Sequence, residues 1–302
     1  MKIGLQVPNF TYPGGTERLR AALADIARAA EEAGFYSLWV MDHFFQIGGR
    51  DPQSSLGPPE DPMLESYSTL SYFAALTERI KLGALATGTV YRHPGILVKT
   101  VTNLDVLSGG RAYFGLGAAW NELESRALGV PFPPPRERLQ REEEVLQIAL
   151  QMWSGNDGPY KGRYYQLERT LCSPLPLSKP HPPILVAGMG EQRTLRLVAQ
   201  YGNACNLFAR GDLDTLRHKL DVLKRHCDEV GRAYGDIEKT TLGTVHLAPG
   251  KMSPKDVIAQ IRSLAGLGID QCIFNMPNTH EITPIEAFGR HIIPAVADLQ
   301  GN

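Results

Sequence analysis

Two ionisable residues, Asp42 and His43, follow an apolar run at residues 37–41 that has the composition of a buried strand. Histidine exchanges protons near neutral pH, so His43 is a candidate acid or base. Because adjacent residues on a strand point to opposite sides, we do not expect Asp42 and His43 to form a simple pair. A structural role, in which His43 only bonds to backbone at the strand end, stays open.

A glycine-rich turn, formed by Gly188, Met189 and Gly190, joins a predicted strand to a helix. Small residues in such a turn let backbone amides at the amino terminus of a helix approach a phosphate closely. Glycine in a tight turn is also ordinary packing, so an anion site and a packing role both remain open. Gly115 and Gly117 begin like a dinucleotide-binding motif, but Trp120 occupies the place of the third glycine, which disfavours a Rossmann site.

Several other functions lack their minimum residues. The sequence contains no GxSxG, HExxH or GxxxxGK[ST] motif, and its four cysteines are widely spaced, so we predict neither a metal site nor a disulfide framework. The 31 basic and 32 acidic residues nearly cancel, which argues against nucleic acid or an anionic membrane surface as partner. With no long apolar stretch, we expect a cytoplasmic protein without membrane association. The acidic run at residues 142–144 is interpreted as a solvated helix face.

Strands and helices alternate along the chain, and eight such units predict a single (β/α)8 TIM barrel over residues 1–302. An open doubly wound sheet is the alternative. Two long excursions, residues 44–60 after the second strand and 154–183 before the fifth, are expected to build a lid or pocket, and we predict a hairpin at 160–167 within the second. The predicted strands cover residues 2–7, 37–41, 80–86, 112–116, 184–187, 204–207, 240–247 and 271–275. The predicted helices cover 16–33, 66–78, 94–107, 136–153, 191–200, 213–230 after the cap Asp212, a seventh that begins at Ser253, and 284–299.

Long stretches of this sequence resemble the bacterial luciferase-like superfamily, and most of all its branch dependent on coenzyme F420, a deazaflavin hydride carrier. The similarity lies in SLWVMDHF at 37–44, GALATGTVYRHP at 83–94 and LDVLSGGRAYFGLGAAWNE at 104–122. It continues through PPILVAGMGEQRTLRLVAQYGNACNLF at 182–208 and TLGTVHLAPG at 241–250. The resemblance implies a barrel that binds coenzyme F420, or alternatively FMN, and a possible homodimer.

The same resemblance implies roles for individual residues. A cis peptide not involving proline is expected within residues 84–87, behind the ring of the coenzyme, and the catalytic residues would be His43 and Asp42 beside that ring. Thr87 would hydrogen-bond the ring, and the glycine turn would bind the phosphate. The residues expected to bind the coenzyme are Ala86, Thr87, Gly117, Ala118, Trp120, Asn121, Gly188, Met189, Gly190 and Asn206.

One departure concerns the loop after the fourth strand. Relatives that oxidise sugar phosphates carry a glutamate there, whereas Trp120 occupies the nearest matching place in a shorter loop, which argues against a sugar-phosphate substrate. Trp120 is expected either to stack on a flat substrate or to pack under the lid. The sequence thus predicts an F420-dependent oxidoreductase acting on a small organic molecule. An FMN-dependent monooxygenase and a coenzyme-binding barrel without turnover remain as alternatives.

Overall fold

The computed structural model describes residues 1–47, 56–209 and 212–299, and its centre is a closed barrel of eight parallel strands. The first strand pairs with the second and the eighth, and the third pairs with the fourth, so every barrel strand has two neighbours. A two-residue strand, Thr87–Gly88, continues the third strand and pairs with the fourth. This closure confirms the predicted TIM barrel. The eight strands are Lys2–Val7, Ser37–Val40, Lys81–Ala84, Ala112–Gly117, Ile184–Ala187, Ala204–Phe208, Glu238–Thr244 and Gln271–Asn275.

Helices surround the barrel, and their ends carry the predicted caps. Asp212 accepts a hydrogen bond from the amide of Thr215 at 2.7 Å, and Gly231 closes the same helix with φ of 71°. Ser253 and Asp256 form a reciprocal capping box. The helices are Gly15–Glu32, Ser66–Leu76, Pro94–Leu107, Glu122–Ala127, Pro135–Trp153, Thr194–Tyr201, Leu213–Val230, Pro254–Ala265, Thr283–Ala287 and Ile293–Val296.

The predicted final helix over residues 284–299 is wrong as a continuous element. It is divided into Thr283–Ala287, a π-helical turn at Phe288–Ile292, and Ile293–Val296. Pro294 has no amide hydrogen to donate to the preceding turn, which favours a change of hydrogen-bond register there.

The barrel interior is filled at its centre by Trp39, which is fully buried. Gly83 makes room for it, because a Cβ at that position would lie 2.4 Å from the Trp39 ring. Leu85, Leu185 and Ile273 pack in the same inner cluster. Since side chains close the centre, space for a ligand is expected at the carboxyl ends of the strands.

The first excursion leaves that end of the barrel, whereas the second joins the helix Pro135–Trp153 to the amino end of the fifth strand. The predicted hairpin is confirmed, with Tyr160–Lys161 pairing antiparallel to Gln166–Leu167. Of the loop at 44–60, residues 48–55 lie outside the described residues, so its role as a lid stays a prediction. In the described ranges, every helix is too short or too polar to cross a bilayer.

Candidate active site

His43 lies at the carboxyl end of the second strand and is almost completely buried. Its Nδ1 is 2.6 Å from Oε1 of Glu124, and its ring meets the edge of Trp120 with centroids 5.4 Å apart. The backbone-capping alternative for His43 is therefore not what the structure shows. The indole of Trp120 is 61% exposed, so the ring of His43 lies between a buried carboxylate and an exposed aromatic surface.

Glu124 comes from the short helix Glu122–Ala127, which follows the fourth strand, and it is fully buried. Besides His43, the hydroxyl of Tyr91 donates to Oε1 at 2.6 Å, and the amides of Phe44 and Phe45 donate to Oε2 at 2.7 and 3.3 Å. Burial by itself would raise the pKa of Glu124, but the hydrogen bond and electrostatic attraction of His43, with hydrogen bonds from Tyr91 and Phe44, outweigh it. The pKa of Glu124 therefore lies below its usual value. The carboxyl group is thus held ionised.

Asp42 points away from His43, as predicted for adjacent strand residues, and is buried. Its two oxygens accept from both terminal nitrogens of Arg92 at 2.8 and 2.9 Å. It also accepts from the hydroxyl of Ser66 at 2.6 Å and from the amide of Gly88 at 3.0 Å. Asp42 therefore ties the end of the second strand to the continuation of the third.

The end of the third strand carries a cis peptide between Leu85 and Ala86, within the range expected from the resemblance. Thr87 is fully buried, and its hydroxyl lies 2.7 Å from that of Tyr67. Across the barrel, the amide of Gln6 donates to the carbonyl of Leu85 at 3.0 Å. The backbone at this point is thus held by side chains of neighbouring elements.

The loop after the fourth strand lines the same end of the barrel. Ala118 and Asn121 are half-buried, and the carbonyl of Ala118 accepts from Nε of Arg138 at 3.0 Å. Ala119 adopts a left-handed conformation with φ of 61°. Gly117 is buried, and a Cβ there would lie 3.5 Å from that of Ala86. Gly117 therefore lies beside Ala86, and Trp120 lies beside His43.

The glycine turn follows the fifth strand, but its helix begins at Thr194, three residues later than predicted. Gly188 has φ of 136°, and a Cβ on Gly190 would lie 2.8 Å from the hydroxyl of Thr194. The glycines thus pack against the first residue of the helix instead of forming its first turn. Met189 is half-buried between them.

Asn206 is buried at the carboxyl end of the sixth strand. Its side-chain amide donates to the hydroxyl of Thr240 at 2.8 Å, and its carbonyl accepts from the amide of Gly188 at 3.1 Å. Asn206 therefore supports the glycine turn from the neighbouring strand.

Sequence reasoning missed Glu124, Tyr91 and Gln6, and it misread Glu142. Glu124 had no signal beyond its place four residues after Trp120, whereas Gln6 is a polar residue within an apolar strand. The interpretation of residues 142–144 as a solvated face is wrong for Glu142, which is fully buried, and for Glu144, which is 8% exposed. Glu142 lies on the face that packs inward, whereas Glu144 is covered by the hairpin and accepts from the amides of Arg163 and Tyr165.

Buried polar atoms without hydrogen-bond partners show which kind of coenzyme ring this end of the barrel would suit. Gln6 and Asn275 are register partners on the first and eighth strands, and Oε1 of Gln6 and Oδ1 of Asn275 are buried acceptors without a partner in the described part of the chain. A pyrimidinedione ring carries an imide N–H that such acceptors bind. Ala86, Gly117 and Ala187 meet nearby and leave little side-chain volume. These features fit a planar ring with an N–H edge.

Comparison with known proteins identifies the family of the chain and several relatives. The model of the luciferase-like monooxygenase family matches residues 1–274. An F420-dependent glucose-6-phosphate dehydrogenase of Kineococcus radiotolerans is 31% identical over 224 residues, which are 72% of this chain and 61% of that protein. The chain thus matches about three-fifths of the length of that relative.

Two solved structures share the fold. The coenzyme F420 dependent tetrahydromethanopterin reductase of Methanopyrus kandleri has a TM-score of 0.77 at 17% identity, covering 97% of this chain and 98% of that one. The monooxygenase RslO1 of Streptomyces bottropensis has a TM-score of 0.80 at 20% identity, covering 97% and 99%. At these identities, the likeness shows the barrel and not the reaction.

Proposed function

Because this chain belongs to the luciferase-like monooxygenase family, we propose that it is an oxidoreductase that uses coenzyme F420. The substrate class we propose is a small, partly apolar organic molecule that exchanges a hydride with the deazaflavin. The observation that carries the proposal is the position of His43, between the buried carboxylate of Glu124 and the exposed indole of Trp120. The name of the relative from Kineococcus radiotolerans supports F420 as the coenzyme.

The residues that would hold the coenzyme follow from the small side chains and the unpartnered polar atoms at the carboxyl ends of the strands. Ala86, Gly117 and the cis peptide before Ala86 would support the ring from below, and Gln6 and Asn275 would accept its N–H. The amides of Met189 and Gly190 would bind phosphate, since the amide of Gly188 already donates to Asn206. When bound, coenzyme F420 supplies the hydride chemistry, which no amino-acid side chain provides.

The chain itself supplies position, proton handling and an apolar surface. His43 would take up or release the proton that accompanies hydride transfer, because it is a titratable group whose ring contacts the exposed indole of Trp120. Trp120 offers a flat apolar surface beside that ring, which suits an organic substrate better than a heavily charged one. Asp42 would have a structural role, since its oxygens already accept hydrogen bonds from Arg92, Ser66 and Gly88.

Replacement of His43 by Ala tests this assignment. Turnover is followed by deazaflavin absorbance, with the first compound that the wild type converts from a panel of alcohols and carbonyl compounds. We expect turnover to fall about 10²-fold or more while the Kd for coenzyme F420 changes little. His291→Ala, on an exposed position of the outer π-helical turn, is the matched control and should behave as wild type. Unchanged turnover in His43→Ala would remove this residue from the mechanism.

A further inference from the structure

The contact between His43 and Glu124 joins residues that are 81 positions apart in the sequence. Both side chains are enclosed, with 10% of the His43 side chain exposed and none of the Glu124 side chain. A buried carboxylate is costly unless donors satisfy it, so the groups around Glu124 decide what it can do.

The carboxylate of Glu124 has no room for a further donor. A carboxylate offers about four lone-pair positions, and Nδ1 of His43, the Tyr91 hydroxyl and the amides of Phe44 and Phe45 supply four donors. The hydrogen bonds that overcome burial also hold the pKa of Glu124 below its usual value. An ionised carboxylate has no proton to donate, so the hydrogen in the short contact with His43 belongs to Nδ1.

We propose that Glu124 is a positioning residue, which fixes the proton of the neutral His43 ring on Nδ1 and leaves Nε2 as the proton acceptor. None of the described residues hydrogen-bonds Nε2. The catalytic consequence rests on the proposed function, because Nε2 would exchange the proton that accompanies hydride transfer. The tautomer itself is a property of the chain alone.

Glu124 has a second structural effect. The carboxylate that orients His43 also binds the amides of Phe44 and Phe45, which follow His43 directly in the chain. The carboxylate of Glu124 therefore sets both the orientation of the imidazole and the course of the backbone after His43. A change at Glu124 is expected to disturb both.

The test begins without coenzyme. Protein labelled with ¹⁵N-histidine is studied by NMR, and the signals of His43 are assigned by their loss in His43→Gln. We expect the neutral ring in the wild type to show a protonated Nδ1 and an unprotonated Nε2. Glu124→Gln, whose amide can donate or accept, should give a mixture of both tautomers. Glu122→Gln removes an exposed carboxylate of the same helix and should leave the His43 signals unchanged.

Turnover with coenzyme F420 provides the second readout. We expect Glu124→Gln to lower turnover about 10²-fold with little change in F420 affinity. Tyr91→Phe keeps the contact with His43 and should retain the wild-type tautomer. A wild-type ring protonated on Nε2, or a folded Glu124→Gln with the wild-type tautomer, overturns the proposal. If Glu124→Gln does not fold, the wild-type spectrum alone decides. Loss of the proposed function would appear separately, as a wild type that shows the expected tautomer but does not react with F420.

Discussion

Glu142 should make the protein less stable as the pH rises. Its side chain is fully buried on the helix Pro135–Trp153, and neither carboxyl oxygen has a hydrogen-bond partner among the described residues. Burial raises the pKa of Glu142 from 4.5 to about 8. Between these values the folded chain keeps the proton, whereas the unfolded chain releases it. The free energy of unfolding therefore falls as pH rises through this range, and the loss ends above the folded pKa.

The size of this effect follows from the pKa difference. Each pH unit between the two pKa values lowers the free energy of unfolding by about 1.4 kcal/mol. Raising the pH from about 5 to about 7 should therefore lower it by about 3 kcal/mol. Glu142→Gln removes the titrating group and with it this dependence. The stability of the variant relative to wild type should therefore increase by about 3 kcal/mol between these two pH values.

Equilibrium unfolding in urea, followed by tryptophan fluorescence at each pH, measures the difference. Glu143→Gln makes the same substitution at a half-buried position on the same helix and serves as the control. Parallel stability curves for Glu142→Gln and wild type would refute the reasoning. An equal change in both variants would show that net charge, and not burial of Glu142, is responsible.

Two further predictions concern packing. Gly115→Ala places a Cβ 2.1 Å from the carbonyl oxygen of Ala84, so the third strand must shift, and we expect urea unfolding to show a loss of about 3 kcal/mol. Gly235→Ala meets no atom within 4 Å and should change stability by less than about 0.5 kcal/mol. Equal losses of stability in the two variants would contradict the predicted clash at Gly115. Burial also raises the pKa of Cys205 and Cys272 to about 12, and Cys172 and Cys227 are buried too. Native protein should thus react slowly with a thiol reagent that labels all four cysteines in denaturant. Fast labelling of the native protein would contradict the burial of these cysteines.

The barrel was predictable because its signals are local and repeated. Strands such as Lys2–Val7 and Gln271–Asn275 are short apolar runs. Asp212 and Ser253 are N-cap residues that predict the start of the helices that follow them. Once the strands are parallel and closed, their carboxyl ends must meet, which is why residues from different strands, such as Ala86 and Gly117, could be predicted to lie together.

The parts that escaped prediction depend on contacts between distant residues. The pairing of His43 with Glu124 is set by where the chain places the short helix Glu122–Ala127, and no periodicity in the sequence reports it. Glu142 is different, because its spacing of three and four residues from Val145 and Leu146 carries a helical signal. Its place in an acidic run favoured the interpretation as a solvated helix face instead.

The most direct test of the central claim is a binding titration of the purified, coenzyme-free protein with coenzyme F420 and, separately, with FMN. Saturation by F420 at one molecule per chain, with weaker binding of FMN, is the result we predict. Hydride exchange between the bound deazaflavin and an organic substrate should then follow, and its absence would favour a binding protein. Preferential binding of FMN would favour the monooxygenase alternative, and failure to bind either molecule would contradict the assignment of the barrel end as a coenzyme site.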